Sequence, residues 1–257
     1  MGWSHLELER HDKVLVVRIN RPPANALVPE LLEEGCRLVE ELRFDPPPAV
    51  VITGAGEFFS GGVDLKVAPR LAREEQARMV SGINALFAGW YGFWHPVVAA
   101  VNGHAVAGGL ILALCADHRI GADGAKYGLT EARVGIPYPA AAIGVVKTEL
   151  AAGTARRLVL GAKLIDSRLA LEWGVVDELA PAERVLERAL AVASELAELP
   201  AQTFTEVKRQ LRGATVDAIG AAVEDDPMAA GWLQAETPEA AEAVLRQRGQ
   251  RGNATRG

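Results

Sequence analysis

The sequence predicts an α/β protein with a helical C-terminal part. Three observations carry this expectation. Short apolar runs at 14–19, 49–53 and 97–101 read as strands, with helical spacing between them. Glycine-rich turns at 54–62 and 107–109 each follow a short apolar strand. From residue 183 onward one helical pattern follows another. Strands alternating with helices, then helices alone, describe an α/β core with a helical appendage. The boundary falls near Pro200, giving a core over 1–199 and a helical region over 200–257.

Each element has a local reason. Residues 6–9 and 14–19 form a hairpin. Residues 21–26, RPPANA, are an extended loop, because proline steers its neighbours away from helix. Pro29 suits a first helical turn, and Leu31, Leu32, Cys36, Leu38, Val39 and Leu42 recur at helical spacing. The run Asp45-Pro46-Pro47-Pro48 stops that helix. Residues 63–95 read as mostly helical. Asn102-Gly103 turns the strand at 97–101, and an apolar helix runs from Leu110 to about Cys115. Glu131 follows one short strand later. Helices are predicted over 140–150 and 154–160, and another opens at Asp166 or Ser167 as cap and closes at Gly174. Residues 175–177 begin a last strand. Further helices are read at 183–199, 203–211, 216–233 with a break near Pro227, and 238–248.

Composition narrows the function classes. The chain has 257 residues, enough to bury a full core. A net charge of -6 gives no general attraction to nucleic acid or anionic membrane. No apolar span reaches about 18 residues, so no membrane crossing is expected. The charged N-terminus lacks a signal-peptide core, and the only two cysteines, Cys36 and Cys115, sit in apolar helical contexts. A cytoplasmic location is the expectation. No His/Cys/Asp cluster has metal-ligand spacing, and His95 and His104 read as packing residues.

The chemistry centres on residues 98–131. Small residues at a helix entrance, Ala107-Gly108-Gly109, let a backbone approach a ligand closely, and free helix N–H groups favour negative charge. Neither this loop nor 54–62 is a phosphate loop or a full GxGxxG fingerprint. Ser60 lies in FFSGG rather than G-x-S-x-G, which argues against a serine nucleophile. Asp64 suits a cap, and Asp117 a structural role.

These blocks carry a resemblance. Residues 59–66 (FSGGVDLK), 100–103 (AVNG), 107–109 (AGG), 115–120 (CADHRI) and Glu131, with the later blocks 161–167 and 174–177, look like the crotonase (enoyl-CoA hydratase/isomerase) superfamily. The likeness spans roughly residues 5–250. It implies a ClpP-like spiral of ββα units with a C-terminal helical region that drives trimerisation, often into hexamers. It implies an acyl-CoA thioester substrate, with coenzyme A present only as part of that substrate and no tightly bound cofactor or metal. The thioester oxygen would lie between the backbone N–H groups of Val63 and Gly108, and Glu131 would handle the proton. Substrate and CoA contacts are implied for Pro23, Ala24, Gly61, Asp64, Leu65, Lys66, Ala107, Ile111 and Thr130. Lys66, Arg246 and Arg248 are candidates for the CoA phosphates. Apolar residues in 216–248 (Val223, Met228, Trp232, Leu233, Val244, Leu245) support the trimer or hexamer expectation, since a lone terminal region would leave them uncovered.

One departure bears on the reaction. Hydratases of the superfamily hold a water between two glutamates; here the second is Glu131 and the first falls on Ile111. One carboxylate suffices for a 1,3-proton shift. Residues 22–27, 107–114 and 128–131 look like the 3,2-trans-enoyl-CoA isomerases, which use a single glutamate. Dienoyl-CoA isomerases place acids at the positions of Ile111 and Pro139, so that activity is not expected. A hydratase or related lyase is the first alternative, and a non-catalytic acyl-CoA-binding or RNA-binding relative the second. The absence of a basic stripe counts against RNA.

Overall fold

In the computed structural model, which describes residues 2–254 with side chains through Arg246, the apolar runs at 14–19, 49–53 and 97–101 become neighbouring strands of one sheet. The chain opens with the antiparallel hairpin β1 (Leu6–His11) and β2 (Val14–Ile19), followed by α1 (Pro29–Phe44). A longer strand, a turn and a three-residue strand then recur: β3 (Ala49–Gly54) with β4 (Phe58–Ser60), β5 (Val97–Val101) with β6 (His104–Val106), and β7 (His118–Ala122) with β8 (Lys126–Gly128). Between them lie α2 (Arg73–Tyr91) and α3 (Gly108–Leu114). After α4 (Ala140–Glu149) and α5 (Ala152–Gly161) come β9 (Ile165–Asp166), α6 (Ser167–Glu172), β10 (Glu178–Ala180) and α7 (Val185–Ala197). The chain then continues in α8 (Ala201–Glu224) and α9 (Thr237–Ala254).

The longer strand of each pair joins a six-stranded sheet in the order β1-β2-β3-β5-β7-β10. The shorter one joins a four-stranded sheet, β4-β6-β8-β9. Each ββ pair therefore links the two sheets, and the repetition winds the chain into a spiral. β3 and β5 are buried throughout, which explains their uninterrupted apolar sequence. One cover of the large sheet is α7, whose Val185, Ala189, Val192 and Ala193 form a buried stripe at helical spacing. α1 and α2 approach closely because α2 offers glycines: a Cβ on Gly82 would stand 3.2 Å from Leu32, and one on Gly89 3.1 Å from Val39.

The structure corrects several element expectations. The loop at 54–62 contains β4, and β6 follows the Asn102-Gly103 turn; both strands are too short to show a periodicity. The helix expected over 63–95 occupies only Arg73–Tyr91, because residues 63–65 run alongside Leu27 instead. Two strands, not one, separate α3 from Glu131. Residues 175–177 are a turn, and the strand begins at Glu178. The helices expected at 203–211 and 216–233 are one helix, α8, ending at Glu224.

α8 stays continuous through Gly213 because two turns of it are anchored by charge. Lys208 Nζ meets Asp117 Oδ2 at 2.7 Å and donates to the His95 carbonyl at 3.0 Å. Arg212 reaches Asp117 at 3.2 Å and Glu149 at 3.1 Å, donates to the Cys115 and Ala116 carbonyls, and lies over the Tyr91 ring. Both cations are buried. Asp117 also accepts from the Val97 N–H. This cluster ties α8 to the start of β5 and the end of α3.

Candidate active site

The two glycine-rich loops meet at one wall of an apolar pocket. Residues 61–64 pair with the chain at Leu27: the Leu27 N–H donates to the Gly62 carbonyl at 2.8 Å and the Asp64 N–H to the Leu27 carbonyl at 3.1 Å. That pairing turns the Val63 N–H to the opposite side, where no described residue accepts from it. Gly62 has a φ of 76° and abuts the second loop so tightly that a Cβ on it would stand 2.9 Å from the Gly108 nitrogen. Gly108 is the first residue of α3, so its N–H has no carbonyl partner within the helix. Ala107 holds a φ of 54°, strained for a residue with a side chain, and is fixed by its N–H to the Gly128 carbonyl at 2.7 Å. Gly109 has no room for a side chain, since a Cβ would fall 2.1 Å from the Ser60 carbonyl. Two free backbone donors thus border the same cavity on adjoining loops.

Side chains of the first loop keep it rigid. Asn25 is buried and donates through Nδ2 to the Ala55 and Phe58 carbonyls at 2.9 and 2.7 Å. Ser60 is fully buried; its hydroxyl donates to the Asn25 carbonyl at 2.8 Å and accepts from the Gly62 N–H at 3.2 Å. That hydroxyl is committed to the loop and is not a nucleophile. Neither of these hydrogen-bonding roles is legible from the sequence, which shows Asn25 in an extended loop and in the 22–27 block.

The pocket has a volume of about 320 Å³. Leu27, Leu65, Ile83, Phe87, Ile111, Val134, Ile136 and Trp232 supply most of its wall. Its acid is Glu131, at the start of a single turn of 3-10 helix, Glu131–Val134. The side chain is 7% exposed. Burial pushes its carboxyl up to about 7; the Tyr138 hydroxyl, donating to Oε2 at 2.7 Å, and the N–H groups of Glu131 and Thr130 partly offset that rise. Among the described residues, no cation forms an ion pair with it. Ile111, on α3, lines the same pocket and is buried and apolar. Among the described residues, no group of three His, Cys, Asp or Glu side chains is placed to hold a metal ion.

The family profile of enoyl-CoA hydratase/isomerase matches residues 9–238. The chain belongs to that family. A Thermus thermophilus protein provisionally named an enoyl-CoA hydratase is 38% identical over 190 residues, covering 72% of this chain and 74% of the relative. The carnitinyl-CoA dehydratase of Escherichia coli strain K12 is 33% identical over 193 residues, 74% of each chain. Among solved structures, a Mycobacterium tuberculosis protein superimposes with a TM-score of 0.80 at 31% identity, covering 86% of this chain and 94% of that one. That same protein is described in one structure as an enoyl-CoA hydratase and in another as an enoyl-CoA isomerase. The fold is therefore the crotonase fold, and the chain is an enzyme of the enoyl-CoA hydratase/isomerase family.

Within this family site the candidate residues divide. Gly61, Val63, Leu65, Ala107, Gly108, Ile111, Thr130 and Glu131 line the pocket together. Pro23 and Ala24 do not; they lie in the neighbouring loop, where the Ala24 carbonyl accepts from the Gly61 N–H. Asp64 also lies outside the wall: it pairs with Arg21 at 3.1 Å and accepts from the Lys66 N–H, fixing the turn after Val63. Lys66 is exposed and outside the wall. Arg246 pairs with Glu242 at 3.5 Å, and Arg248 lies outside the residues whose side chains are described. The lining cations are instead Arg133 and Lys163. They and Tyr138 were missed in the sequence. Tyr138 had one visible signal, its fixed setting between Pro137 and Pro139 seven residues after Glu131.

Proposed function

We propose that this enzyme is a 3,2-enoyl-CoA isomerase that moves a double bond by a proton transfer through Glu131 alone. The observation that carries this reading is one buried carboxylate in a pocket that α3 lines with the apolar Ile111. In the reaction the thioester oxygen rests between the Val63 and Gly108 N–H groups. Glu131 takes a proton from C2. The C2–H electrons form C1=C2 of a dienolate, whose negative oxygen the two donors stabilise by ~2.7–4 kcal/mol each, and that pair moves to C2=C3 as the carbonyl re-forms. Protonation at C4 by the same carboxyl completes the shift, with C3=C4 consumed and no net change in composition.

Two features support the assignment of roles. A carboxyl raised to about 7 accepts and returns a proton near neutral pH more readily than an ordinary one. An apolar wall with few polar partners holds a nucleophilic water poorly. The test is an assay of purified protein with a 3-enoyl-CoA and a 2-enoyl-CoA, following isomerisation and hydration separately. Isomerisation should dominate; efficient hydration would favour the hydratase alternative.

The same reading includes assembly into a trimer or a dimer of trimers, to be checked by sedimentation at micromolar concentration. The apolar residues of 216–248 do not carry it: Trp232 is buried, and Val223, Met228, Leu233 and Val244 pack on the core of the same chain. The exposed apolar residues of α8 are Val207 and Leu211. A cytoplasmic location remains part of the reading; no helix among the described residues is long and apolar enough to cross a membrane.

A further inference from the structure

Glu131 shares its pocket with a second proton-bearing group. Tyr138 is held rigidly from both sides. The Pro137 carbonyl accepts from the Trp232 indole at 2.9 Å. On the other side, the N–H groups of Ala140 and Ala141 donate to Asp226 and Asn84, at 2.8 and 2.9 Å. Pro139 fixes the backbone between them. From this clamped position the phenol reaches Oε2 of Glu131 at 2.7 Å. Burial and then the Glu131 charge push the Tyr138 hydroxyl well above the usual phenol range, so it keeps its proton and donates. The phenol and the N–H groups of Glu131 and Thr130 therefore take up part of the carboxylate's acceptor capacity, and the rest is left for the substrate.

A bound water needs two to four polar partners. With the oxyanion donors on the thioester, a water in the pocket would find Glu131 in a lining that includes Leu65, Phe87 and Ile111, with Thr130, Arg133, Lys163 and Tyr138 as the other polar side chains. We propose that Tyr138 is the positioning residue that sets the outcome at this site: by donating to Oε2 of Glu131 it fixes the carboxylate for proton transfer and takes an acceptor site that a water would otherwise use. This rests on the isomerase reading for its product, though the contact itself can be tested without it.

Other charges near Glu131 are few. Its own turn carries Arg133, whose Nε donates to the Ala162 carbonyl, and Lys163 lines the pocket beyond α5. On α5, Arg156 is exposed and Arg157 stacks on Trp173. Before α9, Glu236 lies beside Gly135, and on α9 Glu242 pairs with Arg246. α2 and α3 face the pocket with Ile83, Phe87 and Ile111. Among the described side chains the phenol is the one hydrogen-bonded to the carboxylate.

The experiment compares wild type with Tyr138→Phe, which keeps the ring and removes the hydroxyl. Two quantities are read: the pH dependence of α-proton exchange into a saturated acyl-CoA in deuterated water, and the ratio of hydration to isomerisation. Removing a hydrogen bond to the charged form should raise the rising limb of the pH profile by about one unit. The hydration ratio should rise about tenfold, with KM little changed. A residue needed only for packing would lower the yield of folded protein or raise KM without moving the limb. If either the limb or the ratio stays at its wild-type value, the proposal is overturned. A wild type that exchanges the α-proton yet hydrates rather than isomerises overturns the isomerase reading and the partition half of the proposal. The limb then decides the positioning half. Should Tyr138→Phe fail to fold, 3-fluorotyrosine at position 138 keeps shape and hydroxyl while strengthening the donor. The limb should then move down, and an unmoved limb counts against the contact.

Discussion

Two regions of this molecule set carboxylates away from bulk water, one partly and one almost fully, and they do so in opposite ways. Around α8, Asp117 and Glu149 meet Lys208 and Arg212, with Arg119 paired to Asp177 alongside. In the pocket, Glu131 meets a phenol and two backbone N–H groups amid aliphatic walls. The first arrangement satisfies its charges mutually and joins elements that are distant in sequence. The second leaves a carboxyl whose charge is disfavoured, which is a cost for folding and an advantage for a group that must take up and release a proton. The difference separates scaffold acid from working acid on physical grounds, before any family likeness is considered.

That contrast makes its largest prediction in the scaffold. Asp117→Asn leaves Lys208 and part of Arg212 buried without their carboxylate. Denaturant unfolding should show a loss of about 3–5 kcal/mol. A loss below about 1 kcal/mol would mean the cluster is hydrated in solution.

The pocket predicts a change of comparable size but with a pH dependence of defined sign. Glu131 binds its proton more tightly folded, at about 7, than unfolded, at 4.5. Between those values the native state holds more protons, so stability falls as pH rises. Below pH 4.5 the neutral acid is cost-free in this respect; above 7 the full penalty applies. Glu131→Gln should therefore gain on wild type by up to about 3 kcal/mol between pH 4.5 and 8. Parallel stability curves for the two proteins would contradict a solitary buried acid.

A smaller effect follows from placing a second acid opposite the first. Ile111→Glu puts a carboxyl on a buried apolar position, at a cost of about 1–3 kcal/mol as the neutral acid. If the fold survives, hydration of a 2-enoyl-CoA should rise from the wild-type level, as a two-carboxylate site can hold water. The smallest effect belongs to the half-exposed Arg21–Asp64 pair, where Asp64→Asn should cost about 1 kcal/mol or less by thermal unfolding.

How much of this was legible in the sequence follows from length scale. Long apolar strands and amphipathic helices such as α1 and α7 announce themselves, since each buries a face of its own. β4 and β6 do not, because a three-residue strand has no period and depends on partners elsewhere in the chain. The glycine loops and Glu131 could be read from motif and spacing. Asn25 and Ser60 could not, because their hydrogen bonds run to carbonyls fixed only by tertiary structure. The union of α8 into one helix depends on Asp117 and Glu149, more than fifty residues away in the chain, which no local pattern reveals.

The most direct measurement compares isomerisation of a 3-enoyl-CoA by wild type and by Glu131→Gln, with CoA-ester binding followed in parallel. The substitution keeps size and the ability to accept from Tyr138 while removing the base. Activity should fall by at least ~10²-fold with binding nearly unchanged. Full isomerase activity in Glu131→Gln would contradict the single-acid account and place the proton on another group.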